Sequence, residues 1–117
     1  MKGRNRNVRA VTLEGKGLLT LKDYPYPELQ KGCAIIKMEY SGICGTDKHS
    51  FEGFFEQKGG RPIPLPVIQG HENVGIIEEI EGELLDHDGN KLKIGDRVVP
   101  APNISCGKCY ACRNNRP

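Results

Sequence analysis

Hydrophobic and polar residues alternate along the first part of the chain in a pattern that predicts short β-strands. We predict one strand over Val8–Glu14 and a second over Leu18–Tyr24. The Gly-Lys-Gly segment at 15–17 between them predicts a hairpin-like connection. Pro25 and Pro27 are expected to end the second strand, because proline cannot donate a backbone hydrogen bond within a sheet.

The middle of the chain changes from an apolar run to a glycine- and proline-rich segment. Cys33–Tyr40 (CAIIKMEY) predicts a strongly apolar strand that is broken by Gly42 and Gly45. Thr46–Glu52 predicts a short helical turn with an aspartate near its start. The segment 51–66 contains a Gly-Gly pair and three prolines, so we expect a surface loop there.

The second half of the chain again has a strand pattern. Val67–Glu81 ends in the alternating run VGIIEEIE and predicts a strand. DHDGNK at 86–91 contains an Asp-Gly turn signal, and 95–99 (GDRVV) predicts a turn that leads into another strand. The cysteine-rich tail is expected to be irregular. About five strands and no long helical pattern predict a mainly β fold, a small, partly open β-barrel with short helical segments.

Composition narrows the class of protein. The chain has 117 residues, room for one domain, and a net charge of +2, which gives no reason to expect a nucleic-acid partner. A small basic cluster near the start is expected to be a solvated chain end; it comprises Lys2, Arg4, Arg6 and Arg9. No apolar run has the length of a membrane span, so we expect no membrane partner.

Cysteine usage indicates the compartment. No apolar segment follows the N-terminal charges, so no signal peptide is expected. There are five cysteines, an odd number, and three of them are separated by two residues each. This pattern suits metal binding in a reducing cytosol better than a disulfide framework, and we therefore expect a cytoplasmic protein.

Two short motifs bring together ligands typical of a catalytic metal site. GICGTDKH at 42–49 supplies Cys44, and GHE at 70–72 supplies His71 and Glu72. Catalytic zinc takes three protein ligands of these types and keeps one position open. Cys44 and His71 both lie beside glycines at predicted strand ends, where side chains converge. Glu72 adds a carboxylate that we expect to bind the metal directly or in exchange with water.

Three further polar residues of the first motif are candidates for catalysis. The Thr46 hydroxyl is placed to take a proton from a substrate alcohol, and His49 is placed to pass it to solvent. Asp47 is a carboxylate suited to orient a ligating histidine and fix its tautomer. Cys33 stands in an apolar strand and His87 in a charged turn, so we interpret both as ordinary structural residues.

A second candidate metal site is the run CGKCYAC. Cys106, Cys109 and Cys112 have C-x2-C-x2-C spacing and predict three ligands of a structural zinc site, which needs four. An iron–sulfur cluster is the alternative, but the matching ferredoxin pattern requires a cysteine at position 116, which is Arg116. Three thiols without metal remain a further alternative for this chain alone.

Taken together, GICGTDKH, GHENVGIIEEI, KIGDRVVP and CGKCYAC resemble the zinc-dependent medium-chain dehydrogenases, a family that includes alcohol, polyol and threonine dehydrogenases. The resemblance implies that residues 1–117 are the N-terminal GroES-like catalytic domain, incomplete at its C-terminus. It also implies catalytic zinc on Cys44 and His71 with Glu72 as ligand or near-ligand. Thr46 and His49 would then form a proton relay, and Asp47 would support a zinc ligand.

The same resemblance implies what the whole protein does. It would transfer hydride from an alcohol or polyol to NAD(P)+, with zinc in a catalytic and a structural site. No G-x-G-x-x-G stands in this sequence, so we expect NAD or NADP to be held by a Rossmann domain absent from this chain. Some members of the family have a basic residue at the position of Gly45. The glycine resembles the polyol and threonine branches more than the classical alcohol branch.

Two rival interpretations remain open from the sequence. The chain alone is expected to be inactive, so one alternative is an isolated, non-catalytic zinc-binding domain or a truncated fragment. The other is a quinone-reductase-like protein, which shares the barrel but needs no zinc; Cys44, His71 and the cysteine run argue against it. The resemblance further implies a small-molecule alcohol or polyol substrate and a homo-oligomeric parent enzyme.

Overall fold

The computed structural model describes residues 6–114 as two small antiparallel sheets joined by short helices. In chain order the elements are β1 (Asn7–Gly15), β2 (Leu18–Pro25), β3 (Ala34–Gly42), α1 (Gly45–Phe51), α2 (Phe54–Gln57), β4 (Val67–Ile68), β5 (Glu72–Ile80), β6 (Arg97–Val98) and α3 (Tyr110–Arg113). The first sheet has the order β2-β1-β4 and the second the order β3-β5-β6. The predicted mainly β fold with short helices is confirmed.

The first sheet is built on the predicted hairpin. β1 pairs with β2 along its whole length, from Asn7 opposite Pro25 to Gly15 opposite Leu18. β4 adds to the other side of β1 at Thr12 and Leu13 only. Thr12 and Leu13 are each 1% exposed, so the interior of this sheet lies where β4 joins β1.

The second sheet carries the other part of the core. β3 pairs with β5 from Ala34 opposite Ile80 to Gly42 opposite Glu72. Ile77 of β5 is 1% exposed. Its backbone N–H donates to the Asp96 carbonyl and its own carbonyl accepts the Gly95 N–H, both at 2.9 Å. The turn before β6 is therefore fixed to the centre of β5.

Polar contacts join the two sheets. The Tyr26 hydroxyl, directly after β2, lies 2.9 Å from carboxylate oxygens of both Glu78 and Glu79 in β5. The guanidinium of Arg6 stacks over the Tyr26 ring at 4.8 Å. The hairpin is also tied to the first helix, because the Gly17 N–H donates to the Phe51 carbonyl at 2.8 Å.

Three of the predicted elements differ in the structure. The expected loop at 51–66 contains α2, and the expected irregular tail contains α3. The predicted strand Val67–Glu81 is two strands in different sheets, β4 and β5. The division falls at Gly70, whose φ of 113° turns the chain in a way that residues with a side chain rarely adopt. Within residues 6–114, no helix combines the length and apolar character that a membrane crossing requires.

Candidate metal centres

The first centre forms where the second sheet meets α1. β3 ends at Gly42, two residues before Cys44, and β5 begins at Glu72, one residue after His71. Because the strands are antiparallel and Gly42 pairs with Glu72, the two ligands are delivered to the same end of the sheet. The Cys44 sulfur lies 3.2 Å from His71 Nε2. The predicted pairing of these two residues is therefore present in the fold.

A hydrogen-bonded bracket holds the histidine loop against the strands. The Ser41 hydroxyl donates to Asn73 Oδ1 at 2.8 Å, and Asn73 Nδ2 donates to the Gly70 carbonyl at 3.3 Å. An added Cβ at Gly70 would lie 3.0 Å from Ser41 Oγ, so the loop passes close to β3. Ser41 and Asn73 are not predictable from the sequence as part of this site, since neither residue type indicates a metal site by itself.

Asp47 belongs to the same cluster. Its Oδ2 accepts the backbone N–H of Cys44 at 2.9 Å, which fixes the start of α1. One carboxylate oxygen of Asp47 also lies within 4.8 Å of the Cys44 sulfur and a His71 ring nitrogen. The structure thus places Asp47 on the cysteine backbone and among the donor atoms, whereas the sequence indicated only support of a histidine.

The geometry of this cluster fits a zinc ion. Zn–S and Zn–N bonds of about 2.3 and 2.05 Å at a tetrahedral angle separate sulfur from nitrogen by about 3.6 Å. The observed separation of Cys44 Sγ and His71 Nε2 is 3.2 Å, within a few tenths of an ångström of that value. Thiolate, imidazole and carboxylate are also the donor types that zinc takes in catalytic sites.

The two residues predicted to relay a proton lie on α1. Thr46 and His49 are three residues apart, so they share a face of the helix. Thr46 is exposed and His49 is half-buried, with its ring stacked on Phe54 at a centroid distance of 4.5 Å. Phe54 is the first residue of α2, in a segment whose sequence predicts a loop, so this contact was not predictable from the sequence.

Glu72 occupies a different position from the other candidate ligands. It follows His71 directly and is exposed. Among the described residues, the donor atoms that converge at this centre come from Cys44, Asp47 and His71, and Glu72 is outside that group. The structure therefore places Glu72 as a neighbour of the donor set.

The second centre is the cysteine run at the end of the described chain. Cys106, Cys109 and Cys112 offer sulfurs that all lie within 4.8 Å of one another. The sulfur of Cys112 is 3.8 Å from Cys106 and 3.4 Å from Cys109. Two thiolates on a tetrahedral zinc are separated by about 3.8 Å, whereas a disulfide requires about 2.05 Å. The three sulfurs therefore have the spacing of metal ligands.

Backbone hydrogen bonds lower the pKa of one of these thiols. The N–H groups of Lys108 and Cys109 point at the Cys106 sulfur, at 3.5 and 3.3 Å. These two bonds, with those from the neighbouring thiols, lower the pKa of Cys106 to about 7. Because the thiolate is the form that binds metal, Cys106 is a competent ligand near neutral pH.

An apolar groove opens beside the first centre, with a volume of about 740 Å³. Its lining includes Asp47, which is hydrogen-bonded to the backbone of Cys44, and Gly70, which directly precedes His71. Most of its remaining lining is apolar and comes from both sheets and α1: Val11, Leu19, Met38, Ile43, Phe51 and Ile68. The face of the centre that carries Asp47 thus looks onto apolar surface.

Comparison with protein families gives a match to the alcohol dehydrogenase GroES-like domain over residues 30–117. An uncharacterized zinc-type alcohol dehydrogenase-like protein of Bacillus subtilis is 37% identical over 108 residues, which is 92% of this chain and 26% of the relative. An L-threonine 3-dehydrogenase of a Marinomonas species is 36% identical over 96 residues, covering 82% of this chain and 26% of the relative.

Solved structures agree with this match. A crystal structure of an alcohol dehydrogenase from Thermotoga maritima superposes with a TM-score of 0.80 at 33% identity, over 97% of this chain and 30% of that protein. A zinc-binding dehydrogenase from Sinorhizobium meliloti, bound to NADP, gives 0.75 at 34% identity, over 96% and 30%. The predicted GroES-like fold is confirmed, and the chain spans about 30% of the length of these proteins.

Proposed function

Because this chain belongs to the alcohol dehydrogenase GroES-like domain family, we propose that it supplies the metal-binding part of the catalytic domain in a zinc-dependent oxidoreductase. The whole protein would transfer hydride from a small alcohol or polyol to NAD(P)+. The observation that carries this proposal is the convergence of Cys44 and His71 at 3.2 Å with the Asp47 carboxylate beside them. Relatives described as zinc-type and as threonine dehydrogenases support it.

Cys44 and His71 would hold the catalytic zinc, with Asp47 in reach of it. Zinc in such a site acts as a Lewis acid that makes an alcohol easier to deprotonate. Asp47 has a second role that does not depend on the ion, because it holds the backbone of Cys44 in place. Cys106, Cys109 and Cys112 would hold a structural zinc, together with a fourth ligand.

Thr46 and His49 would move the proton that the alcohol loses. Thr46 is exposed on the first turn of α1, next to the ligand Cys44, and its hydroxyl both accepts and donates hydrogen bonds. His49 shares its helix face, and its contact with Phe54 fixes the ring. A hydroxyl followed by an imidazole is a short route by which a proton reaches solvent.

The proposed function is tested by an activity assay on the whole protein. NAD+ and NADP+ reduction is followed with small alcohols, polyols and 3-hydroxy amino acids, before and after chelation and zinc readdition. Zinc-dependent reduction that disappears in Cys44→Ser supports the proposal. Zinc binding without reduction of either cofactor by any of these compounds would favour the alternative of a non-catalytic zinc-binding protein.

A further inference from the structure

The pair formed by Gly42 and Glu72 is unusually close. These residues stand directly opposite each other at the last pair of β3 and β5. An ideal Cβ built on Gly42 would lie 3.0 Å from the Glu72 Cβ and 2.5 Å from its Oε2. Opposed Cβ atoms in antiparallel sheets are normally about 4.5–5.5 Å apart. The missing side chain at position 42 is therefore what allows this approach.

The close pair is the pair of β3 and β5 nearest to the two central candidate ligands. Gly42 is two residues before Cys44, and Glu72 directly follows His71. A widening of the strands at Gly42 and Glu72 would therefore be transmitted to Cys44 and His71, because the β3–β5 pairing of the described residues ends at this pair. Their present separation of 3.2 Å leaves little tolerance for such a shift.

The same pair also accounts for the position of the Glu72 carboxylate. Its Oε2 and Cδ would be 2.5 and 3.5 Å from a Cβ at position 42, so the side chain lies across the open backbone of the glycine. Within the described part of the chain, Glu72 does not join the donor atoms of Cys44, Asp47 and His71. The space above Gly42 is thus occupied by a carboxylate that lies outside the donor set.

We propose that Gly42 is a positioning residue for the first metal centre. By lacking a side chain it lets β3 and β5 approach closely at their last pair, and so it sets the separation of Cys44 and His71. The inference rests on the proposed metal-binding function of this centre. It assigns to a glycine, which binds nothing itself, control over the affinity and geometry of the site.

The test is a cobalt(II) titration of the metal-free whole protein, followed by visible d–d and thiolate charge-transfer absorption. The signal of the first centre is taken as the absorption that is lost when Cys44→Ser is added to each variant. Gly42→Ala is expected to weaken cobalt affinity at this centre by about 10- to 100-fold and to shift its d–d bands, as loss of ligand support does elsewhere. Circular dichroism verifies that each variant is folded.

A compensating variant identifies the contact. Glu72→Gly removes the three side-chain atoms that a new methyl group would meet, so adding Gly42→Ala to Glu72→Gly is expected to change neither the affinity nor the spectrum further. Glu72→Gly alone is the reference for this comparison, because Glu72 is itself a candidate ligand. Gly15→Ala is the matched control, because Gly15 also ends a strand and a Cβ there meets nothing within 4 Å.

Each outcome decides the inference. Unchanged affinity in Gly42→Ala would overturn the role of Gly42. A further loss of affinity, or of folding, when Gly42→Ala is added to Glu72→Gly would also overturn it. If Cys44→Ser leaves the cobalt absorption of the unmodified protein unchanged, the proposed metal centre fails first, and that result is distinguishable from failure of the Gly42 inference.

Discussion

The sulfur of Cys44 and Nε2 of His71 lie 3.2 Å apart, although the two residues are separated by 27 positions in the sequence. The antiparallel pairing of β3 and β5 creates this proximity, and the Ser41–Asn73 hydrogen bond fixes the strand ends that carry it. Thiolate and imidazole at this distance form half of a tetrahedral zinc coordination sphere.

Replacing Thr46 tests the proposed proton relay. Thr46→Val keeps the shape of the side chain but removes its hydroxyl, and we expect kcat of the whole enzyme to fall by about 100-fold or more, the range of general acid–base contributions. Thr46→Ser retains the hydroxyl and should keep most of the activity. Zinc content should be the same in both variants. Equal kcat values for the two would exclude the hydroxyl from the reaction.

Replacing one cysteine of the second centre is expected to lower the metal content by one ion per chain. Cys109 lies 3.4 Å from Cys112 by sulfur-to-sulfur distance, so Cys109→Ser takes a ligand from that centre only. Elemental analysis should show about one zinc fewer per chain, because structural zinc requires its full ligand set. Cys33→Ser is the control, since Cys33 is exposed and outside both clusters. Equal zinc in Cys109→Ser and Cys33→Ser would argue against a metal at this position.

Stability should depend on the interior of the first sheet. Leu13 is 1% exposed, and Leu13→Ala is expected to lower the free energy of unfolding by about 2–5 kcal/mol. Its register partner Leu19 is 49% exposed, so Leu19→Ala should cost clearly less. Chemical denaturation of the two variants measures the difference. Similar losses at both positions would mean that Leu13 is not the centre of the packing.

The ionisation of Tyr26 is expected to make the stability of the fold depend on pH above about pH 10. Desolvation, with hydrogen bonds to Glu78 and Glu79, raises the pKa of Tyr26 to about 12. An unfolded tyrosine has a pKa near 10, so the folded state binds the proton more tightly between about pH 10 and 12. The stability from this group is present below pH 10 and is lost as the pH rises through that window.

The comparison of unmodified protein with Tyr26→Phe measures this effect. The difference in their phenolate absorption should give a midpoint near 12, and the unmodified protein should lose stability more steeply above pH 10. A midpoint near 10 would show that the hydroxyl is not held between the two carboxylates.

Much of the fold could be predicted because alternation and turn residues are local signals. The ends of β1 and β2 lie within one residue of the predicted ends. The helix α1 begins one residue before the predicted helical turn at 46–52. The division of the run at 67–81 was not predictable from hydrophobicity, because β4 and the middle of β5 carry similar apolar residues. Their assignment to different sheets depends on long-range pairing with β1 and β3.

The candidate site divides in a similar way. Cys44 and His71 could be predicted from residue type and spacing, since few other roles require that combination. Three supporting contacts could not be predicted, because each depends on which strand ends meet in the fold. They are the Ser41–Asn73 hydrogen bond, the bond of Asp47 to the Cys44 backbone and the position of Glu72 over Gly42. Residue types predicted which two side chains converge, and strand register decided which residues support them.

Whether Cys44 and His71 form a metal centre is decided by the zinc content of the purified whole protein and of its Cys44→Ser variant. Both are purified without added metal and measured by elemental analysis, with Cys33→Ser as the matched control. Cys44→Ser is expected to contain about one zinc fewer per chain than Cys33→Ser and the unmodified protein. Equal zinc in all three proteins would contradict it, because Cys44 and His71 would then not form a metal centre.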